Sequence, residues 1–508
     1  MRLPYLKHQE NKQVTQTVEF RGLNYGPVIE DGEMSDCLNM SSDLYPCLSP
    51  RLPRKVEKTG LTNPTALMAK DKLIYVDGEG FYYDSVQKGV VTPGKKQMVC
   101  IGDRVIIFPD KTYYDISDEL YGTLGETYKQ AGLVFTTTTI TTAGADFAFK
   151  AGDGVKLSGC TVAQGNNKTV IVKSVSSKVL TFDTATFTAA TETAEVTIAR
   201  EVPDMDFICE YQNRLWGCKG SEIYASKLGD PFNFNAFKGI TSDSYAATVG
   251  TDGSFTAIKG FTSHIAFFKP NCIHRLYGNK PANFQFNDSQ GLGAAKGCEK
   301  SVANVADTLF YVSSNGIMAY TGTAPDNISA KFGTKKFVEA VGGYDGDKYY
   351  LSAKDSFGDW SLFVYDTASG IWLREDDTHV LDFSFYDGKL YFLSSDKKIY
   401  SVNDYDSKEA VPWSVTFGEK AFGADEKKSH TNFNLQLELC DPDSTISIYI
   451  NQDRKGWLQI YSGSWFGERK TVSVPIVPTK CDILNIRIEG KGRCKIYALT
   501  KILVLGGE

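Results

Sequence analysis

Histidine is the side chain most often recruited for acid–base work near neutral pH, and this 508-residue chain has five, at positions 8, 264, 274, 379 and 430. None stands in a His-Glu-x-x-His pattern, which would place two imidazoles on one helix face as metal ligands. The one close-set pair, His264 and His274, falls on the two predicted strands of a single hairpin, where structural roles are the better reading. Nucleophilic catalysis has no firmer footing, since there is no Gly-x-Ser-x-Gly elbow and no Ser-x-x-Lys on a predicted helix. Among 61 acidic residues, neighbours such as Asp376-Asp377, in a predicted loop, arise by chance. The eleven cysteines, at 37, 47, 100, 160, 209, 218, 272, 298, 440, 481 and 494, are scattered and include no Cys-x-x-Cys. They read as buried reduced thiols rather than metal ligands. Cys209 and Cys218 flank one predicted hairpin as cross-strand neighbours, with no bond expected. Residues 291–297 with Lys300-Ser301 imitate a phosphate loop, but that pattern needs glycine where Ala294 and Glu299 stand, and no helical pattern follows. No metal and no cofactor is expected, and the chain reads as a non-enzyme.

What positions these residues is a repeated hairpin phrase. Residues 210–237 hold one copy, in which Asn213-Arg214 opens an apolar run at Leu215-Trp216, and Gly217 and Gly220 lead to Ile223-Tyr224-Ala225. Six further copies open at Asp71, Asp103, Ser263, Asp307, Asp347 and Gly388, each a short apolar run, a turn and a second, often aromatic-rich run. Asp, Asn or Gly before a strand is turn chemistry. Starts spaced roughly 30 to 50 residues apart match the period of propeller blades. The expected fold is all-β, a propeller of about seven blades over residues 57–119 and 203–410. A carboxylate pair assembled from different blades would leave a glycosidase reading open.

The one gap in the repeat, residues 120–202, is rich in Thr and Val with Gly-Asp turns, and predicts an inserted β-barrel or sandwich. Residues 411–508 hold six predicted strands with alternation such as Ile446, Ile448 and Ile450, and predict a C-terminal β-sandwich. Residues 1–56 read as an extended arm, with prolines at 27, 46, 50 and 53 that disfavour helix. Its backbone needs another surface, either a blade that it closes or a neighbouring subunit. The arm's candidate assembly residues are Asn39, Tyr45, Pro46, Pro50, Arg51 and Arg54.

A net charge of −6 gives no global footprint for wrapping nucleic acid. No apolar run reaches the roughly 18 residues of a membrane span, and the first residues carry no signal-peptide core, so synthesis in a cytoplasm is expected.

Several stretches together resemble a known family: Tyr224 through Phe234 (YASKLGDPFNF), the Tyr320-Thr321-Gly322 blade ending and residues 39–54. They resemble the β-propeller nozzle or hub proteins of short-tailed bacteriophages, the packaged-DNA stabilisation proteins, over roughly residues 20–410. The resemblance implies a virion tail protein made in the host bacterial cytoplasm, a homo-oligomer forming a hexameric ring. It would extend and close the DNA channel, contact other tail or portal proteins, and let DNA pass at infection. A channel for moving duplex should avoid many phosphate contacts, so acidic and polar side chains should face the lumen. Residues 239–250, with Asp243, are the expected constriction. A receptor-binding or fibre-adaptor tail protein, and a carbohydrate-active propeller enzyme, are the alternatives.

Overall fold

The turn that opens the repeated phrase needs a left-handed backbone, with φ of 54° at Asp71, 58° at Gly102, 58° at Asn213 and 48° at Asp387. Gly, Asn and Asp tolerate that region best, which explains the residue types found there. Each turn folds one strand back onto the next, in the registers Lys70↔Lys72, Ile101↔Arg104, Tyr211↔Arg214 and Tyr386↔Lys389. The phrase is therefore the second and third strand of a four-stranded antiparallel meander.

The computed structural model describes residues 11–420, 428–477 and 480–505. Seven such meanders follow one another, over residues 64–90, 97–123, 207–248, 257–290, 303–327, 337–376 and 380–401. The seventh has only three strands of its own, and the N-terminal strand Lys55–Lys58 supplies the fourth. The fold is an all-β, seven-bladed propeller with an inserted β-domain and a C-terminal β-sandwich. His8 lies outside the described residues.

The chain divides into two compact units. The first is Leu61–Ser314 with Tyr320–Pro325. Within it the second strands of the blades, such as Arg214–Lys219 and Ile265–Lys269, are buried at nearly every position. Strands covered on both faces read as continuous apolar runs, and these do. Trp216, fully buried, packs against Phe267 and Phe284 between the third and fourth blades. Truncating such a side chain to alanine costs about 3–5 kcal/mol.

The inserted domain in this unit is an eight-stranded sheet that begins at Glu126–Ala131 and ends at Glu195–Arg200. Its first and last strands are partners, Glu126 opposite Arg200, so the insert leaves and re-enters at one place. It surrounds a core of its own, with Leu133, Phe135, Ile140, Val172 and Ile198 buried. The insert starts later than the sequence suggests: Leu120–Thr123 is the outer strand of the second blade, pairing with Thr112–Asp115. The insert's true first strand begins only after Leu124, which packs with Val202 and Met205 in the core between the second and third blades.

The second unit is Met1–Gly60, Asn315–Ala319 and Asp326–Glu508. Its sandwich consists of two five-stranded sheets. The six expected strands are present, and Ile446, Ile448 and Ile450 point inward as their alternation requires. Two more strands come from the arm. Asn11–Thr17 pairs along the whole of its length with the last strand, Asn11 opposite Leu505, and Met34–Leu38 pairs with Pro412–Lys420. Pro412–Lys420 precedes the six expected strands and is a central strand of its sheet. The N-terminal segment is thus part of the sandwich and of the seventh blade.

Candidate functional site: the anchorage of the N-terminal arm

Asn39 occupies a left-handed conformation, φ 55°, and from there bonds in three directions. Its backbone N–H donates to the Glu375 carbonyl at 2.5 Å, its side-chain Nδ2 donates to the Pro412 carbonyl at 2.8 Å, and its Oδ1 accepts from Arg51 Nε at 2.8 Å. One residue of the arm thereby ties the end of the sixth blade to the start of the sandwich. Arg51 and Arg54 then meet the carboxylates that close the sixth blade. Arg54 reaches Glu375 at 2.7 Å and Asp376 at 2.9 Å, while Arg51 lies 3.6 Å from each.

All four charges are largely withdrawn from water, and burial works against each of them. For Arg54 the opposing carboxylates prevail and hold its guanidinium above the ordinary range. Burial likewise opposes the Asp376 charge, but Arg54 and the Thr378 donors keep its carboxyl below the usual value. Burial dominates at Arg51 and lowers it. Removing one partner from such a cluster leaves an uncompensated charge, at a cost of about 3–5 kcal/mol.

The remaining arm residues extend the same seam. Tyr45 donates to Glu19 at 2.6 Å within the arm, the Pro46 carbonyl accepts from Phe20 N–H at 3.2 Å, and Pro50 sits opposite Met40 in a two-stranded ribbon. Further along, Lys331 pairs with buried Glu33 at 2.8 Å and Arg374 pairs with Asp36 at 3.3 Å. Arg374 Nε also donates to the Cys37 carbonyl at 3.1 Å. The six residues expected to carry assembly are therefore engaged within one chain, and the arm closes a blade of its own chain.

A polar cavity of about 720 Å³ adjoins this seam, lined by Arg51, Arg54, Asp376, His379, Asp396 and Glu409 among others. Several of its groups are already engaged. His379 stacks on Trp360 with ring centroids 3.7 Å apart, and burial lowers its pKa. Asp396 accepts from Tyr400 at 2.5 Å, and Asp377 pairs with Arg374 at 2.5 Å. A glycosidase needs one carboxyl to ionise and its partner to hold a proton; here Asp376 is bound to arginine and kept charged. Asp376 ends the strand Ile371–Asp376 rather than lying in a loop.

The Asp243 side chain, placed in the expected constriction, is turned into its own loop. It is 5% exposed, and its carboxylate accepts from the N–H groups of Lys238, Gly239 and Ile240 at 2.5, 2.5 and 3.1 Å. Beneath it Arg214, 1% exposed, donates to the carbonyls of Ser226, Asp243 and Thr241. The acid organises its own turn. Nothing in its residue type separates a solvent-facing role from a turn-capping one.

The stretch from Asp230 to Phe234 holds the insert in place. Asn233 donates to Asp153 at 3.1 Å and accepts from Gly154 N–H at 3.0 Å, and Arg200 pairs with Asp153 at 2.8 Å. A Cβ on Gly154 would fall 2.3 Å from the Asn235 carbonyl, so only glycine allows this approach.

The histidine pair is structural. His264 bonds Tyr320 at 2.9 Å and Ser263 at 3.0 Å, and His274 meets Asp288 at 2.5 Å and Thr251 at 2.8 Å. All eleven cysteines are free thiols, and Cys209 faces Trp216 across the ladder while Cys218 faces Phe207. The phosphate-loop imitation joins the fourth and fifth blades, and a Cβ on Gly293 would strike the Lys269 carbonyl at 2.1 Å. No cluster suited to a metal occurs among the described residues, and no helix there is long and apolar enough to cross a membrane.

No protein-family model matches the sequence, and no curated protein matches it. Among solved structures, the chain is similar to BamB from Moraxella catarrhalis at 11% identity and TM-score 0.35, over 71% of this chain and 98% of that one. It is also similar to Hsv2 from Kluyvelomyces marxianus, at 12% identity and TM-score 0.27, over 57% and 89%. An exo-beta-1,3-galactanase from Phanerochaete chrysosporium aligns at 11% identity and TM-score 0.22, over 57% and 92%. Likenesses this remote carry no argument about activity.

Proposed function

We propose that the chain is a non-enzymatic structural subunit of a tailed-phage virion, a tail nozzle or hub protein whose ring extends and closes the DNA channel. The observation that carries this reading is that the chain's buried arginines and carboxylates are bound to one another to fasten its own arm. Such wiring suits a scaffold that must hold shape under load. The net charge of −6 supports a channel that retains duplex by closure rather than by grip, because each neutralised phosphate adds salt-dependent affinity. The reading rests also on the resemblance carried by residues 39–54, 224–234 and 320–322.

Negative-stain microscopy of the purified chain tests it, with a six-fold ring expected and a monomer or trimeric spike against it. Duplex DNA titrated onto that ring at about 50 mM salt should bind weakly, since a protein making six to ten phosphate contacts binds tightly there and loses affinity steeply as salt rises. Tight, salt-sensitive binding would overturn retention by closure. The fibre-adaptor alternative draws on one observation, the exposed aromatics of the sandwich.

A further inference from the structure

The charge of this chain is unevenly placed. Residues 326–411, which include the sixth and seventh blades, hold 10 Lys and Arg against 16 Asp and Glu, a net of −6. Residues 412–508, the sandwich, hold 13 against 11, a net of +2. The acidity of the whole molecule is thus equalled by that of one segment, and the segment that follows it has the opposite sign.

Each of the two segments also shows aromatic side chains to water. On the sandwich, the strand Leu458–Gly463 is an edge of its sheet, with Thr445–Gln452 as its one partner among the described residues. It contains no charged residue and no proline, two of the devices by which proteins guard such an edge, and its one irregularity is a register shift between Gln459 and Tyr461. Around it Trp457, Leu458 and Phe466 are 38%, 62% and 60% exposed. Basic groups flank the aromatics in excess of acidic ones: Lys455, its side chain 78% exposed, stands at the preceding turn 3.7 Å from Asp453, with Arg454 beside it, and Lys470, 3.1 Å from Glu468 and next to Arg469, has its Nζ 5.6 Å from the Trp465 ring. In the acidic segment, Phe357 is 90% exposed two residues before Asp359, and Tyr405 is 78% exposed between Asp404 and Asp406. Large apolar groups held in water together mark contact surfaces, and here each group stands where one sign of charge is in excess.

We propose that the Trp457–Phe466 edge of the sandwich docks onto the acidic, aromatic loops around Phe357 and Tyr405 of a second copy of this chain. Complementary charge selects that occupant, since the same molecule displays both signs with matching aromatics. The contact is heterologous, one surface meeting a different surface, and contacts of that kind close into rings or run on as filaments. The inference rests on the ring reading and names the surfaces that would close it. A purely basic partner is excluded by the sign of the edge. Duplex DNA and an anionic membrane surface share the required sign, and the test separates them.

The experiment uses the full chain and charge exchange. One variant, K455E/K470E, reverses the sandwich edge; a second, D404K/D406K, reverses the loop. Native mass spectrometry and light scattering at low salt should give the wild type as a multimer of the 56.1 kDa chain and each variant alone as a smaller species. Circular dichroism of the variants should match the wild type, because the four positions are at the surface or half-exposed. Mixing the two variants should restore the multimer with the two copies alternating, since the reversed edge meets the reversed loop and the untouched edge meets the untouched loop, a result that misfolding could not produce. If the wild type assembles and both variants assemble equally, the ring survives and this contact is overturned. If the wild type is monomeric at tens of micromolar, the ring reading fails with it. Binding of a duplex oligonucleotide or of phosphatidylglycerol vesicles by a monomeric wild type, lost in K455E/K470E, would assign the edge to that other occupant and overturn the proposal.

Discussion

At the scale of single residues, the groups with the greatest chemical capacity serve the backbone. Arg214 is a buried cation whose partners are three carbonyls, and Asp243 is a buried anion whose partners are three N–H groups. Satisfying buried polar groups in this way is what makes their burial tolerable. His264 shows the consequence for pH. Burial, assisted by the nearby Arg275 charge, brings its pKa down to about 4 from 6.5. An unfolded chain takes up the proton below about 6.5 and the folded chain only near 4, so stability should fall as pH drops through that window. The loss is on the order of 3 kcal/mol, from about 1.4 kcal/mol per unit. Thermal unfolding between pH 7 and 4.5 should therefore show a steeper decline for the wild type than for His264→Gln, which has no proton to gain; equal slopes would remove His264 as the cause. The hairpin placement of His264 was legible in the sequence, because strand pattern and turn residues are local. The burial of Asp243 was not, because a polar loop residue can face water or cap its own turn, and only the chain's path decides between them.

At the scale of elements, the repeated phrase was legible because both of its signals are short-range: a left-handed turn residue and a covered apolar run. Pairing across the chain was not. The strand Asn11–Thr17 has one apolar residue, Val14, which is 61% exposed, and its partner ends at Leu505. No periodicity marks a polar edge strand whose stability comes from the ladder it joins. The arm's prolines did announce extended backbone in need of a surface, and that surface is its own chain. Deleting residues 1–54 should accordingly do more than stop assembly. It strips two strands from the sandwich and leaves Glu375 and Asp376 buried without Arg51 and Arg54. The truncated chain should aggregate or unfold well below the wild-type temperature in a thermal shift measurement. A soluble truncation with unchanged thermal stability would mean that the arm's bonds contribute little. The milder variant Arg54→Met should lower stability by about 3 kcal/mol or more through the same stranded carboxylates.

At the scale of the whole molecule, the inserted domain was visible as a break in a period, and its physical independence follows from how it is attached. Its entry and exit strands are paired with each other, Glu126 opposite Arg200, so the blades need only a short link there. Its core residues, among them Phe135, Phe149, Phe182 and Phe187, pack with one another, whereas Leu124 and Val202, just outside, belong to the core between the second and third blades. What joins the two bodies is a small contact in which Asp153 accepts from Asn233, Arg200 lies over the Phe232 ring, Lys238 pairs with Asp183, and Gly154 sits against the Asn235 carbonyl. The predicted consequence has two sides. A fragment of residues 125–201 should fold alone, giving a cooperative β-sheet thermal transition and dispersed amide resonances. A chain in which a short glycine-rich turn replaces residues 127–199 should keep the blades' transition within a few degrees of the wild type, provided the cut spares Leu124 and Val202. Moving the same cut out to 120–202 should be far more harmful, because it removes the outer strand Leu120–Thr123 and two buried core residues whose truncation costs about 2–5 kcal/mol each. Equal stability of the two deletions would show that the insert's border does not lie at residue 126.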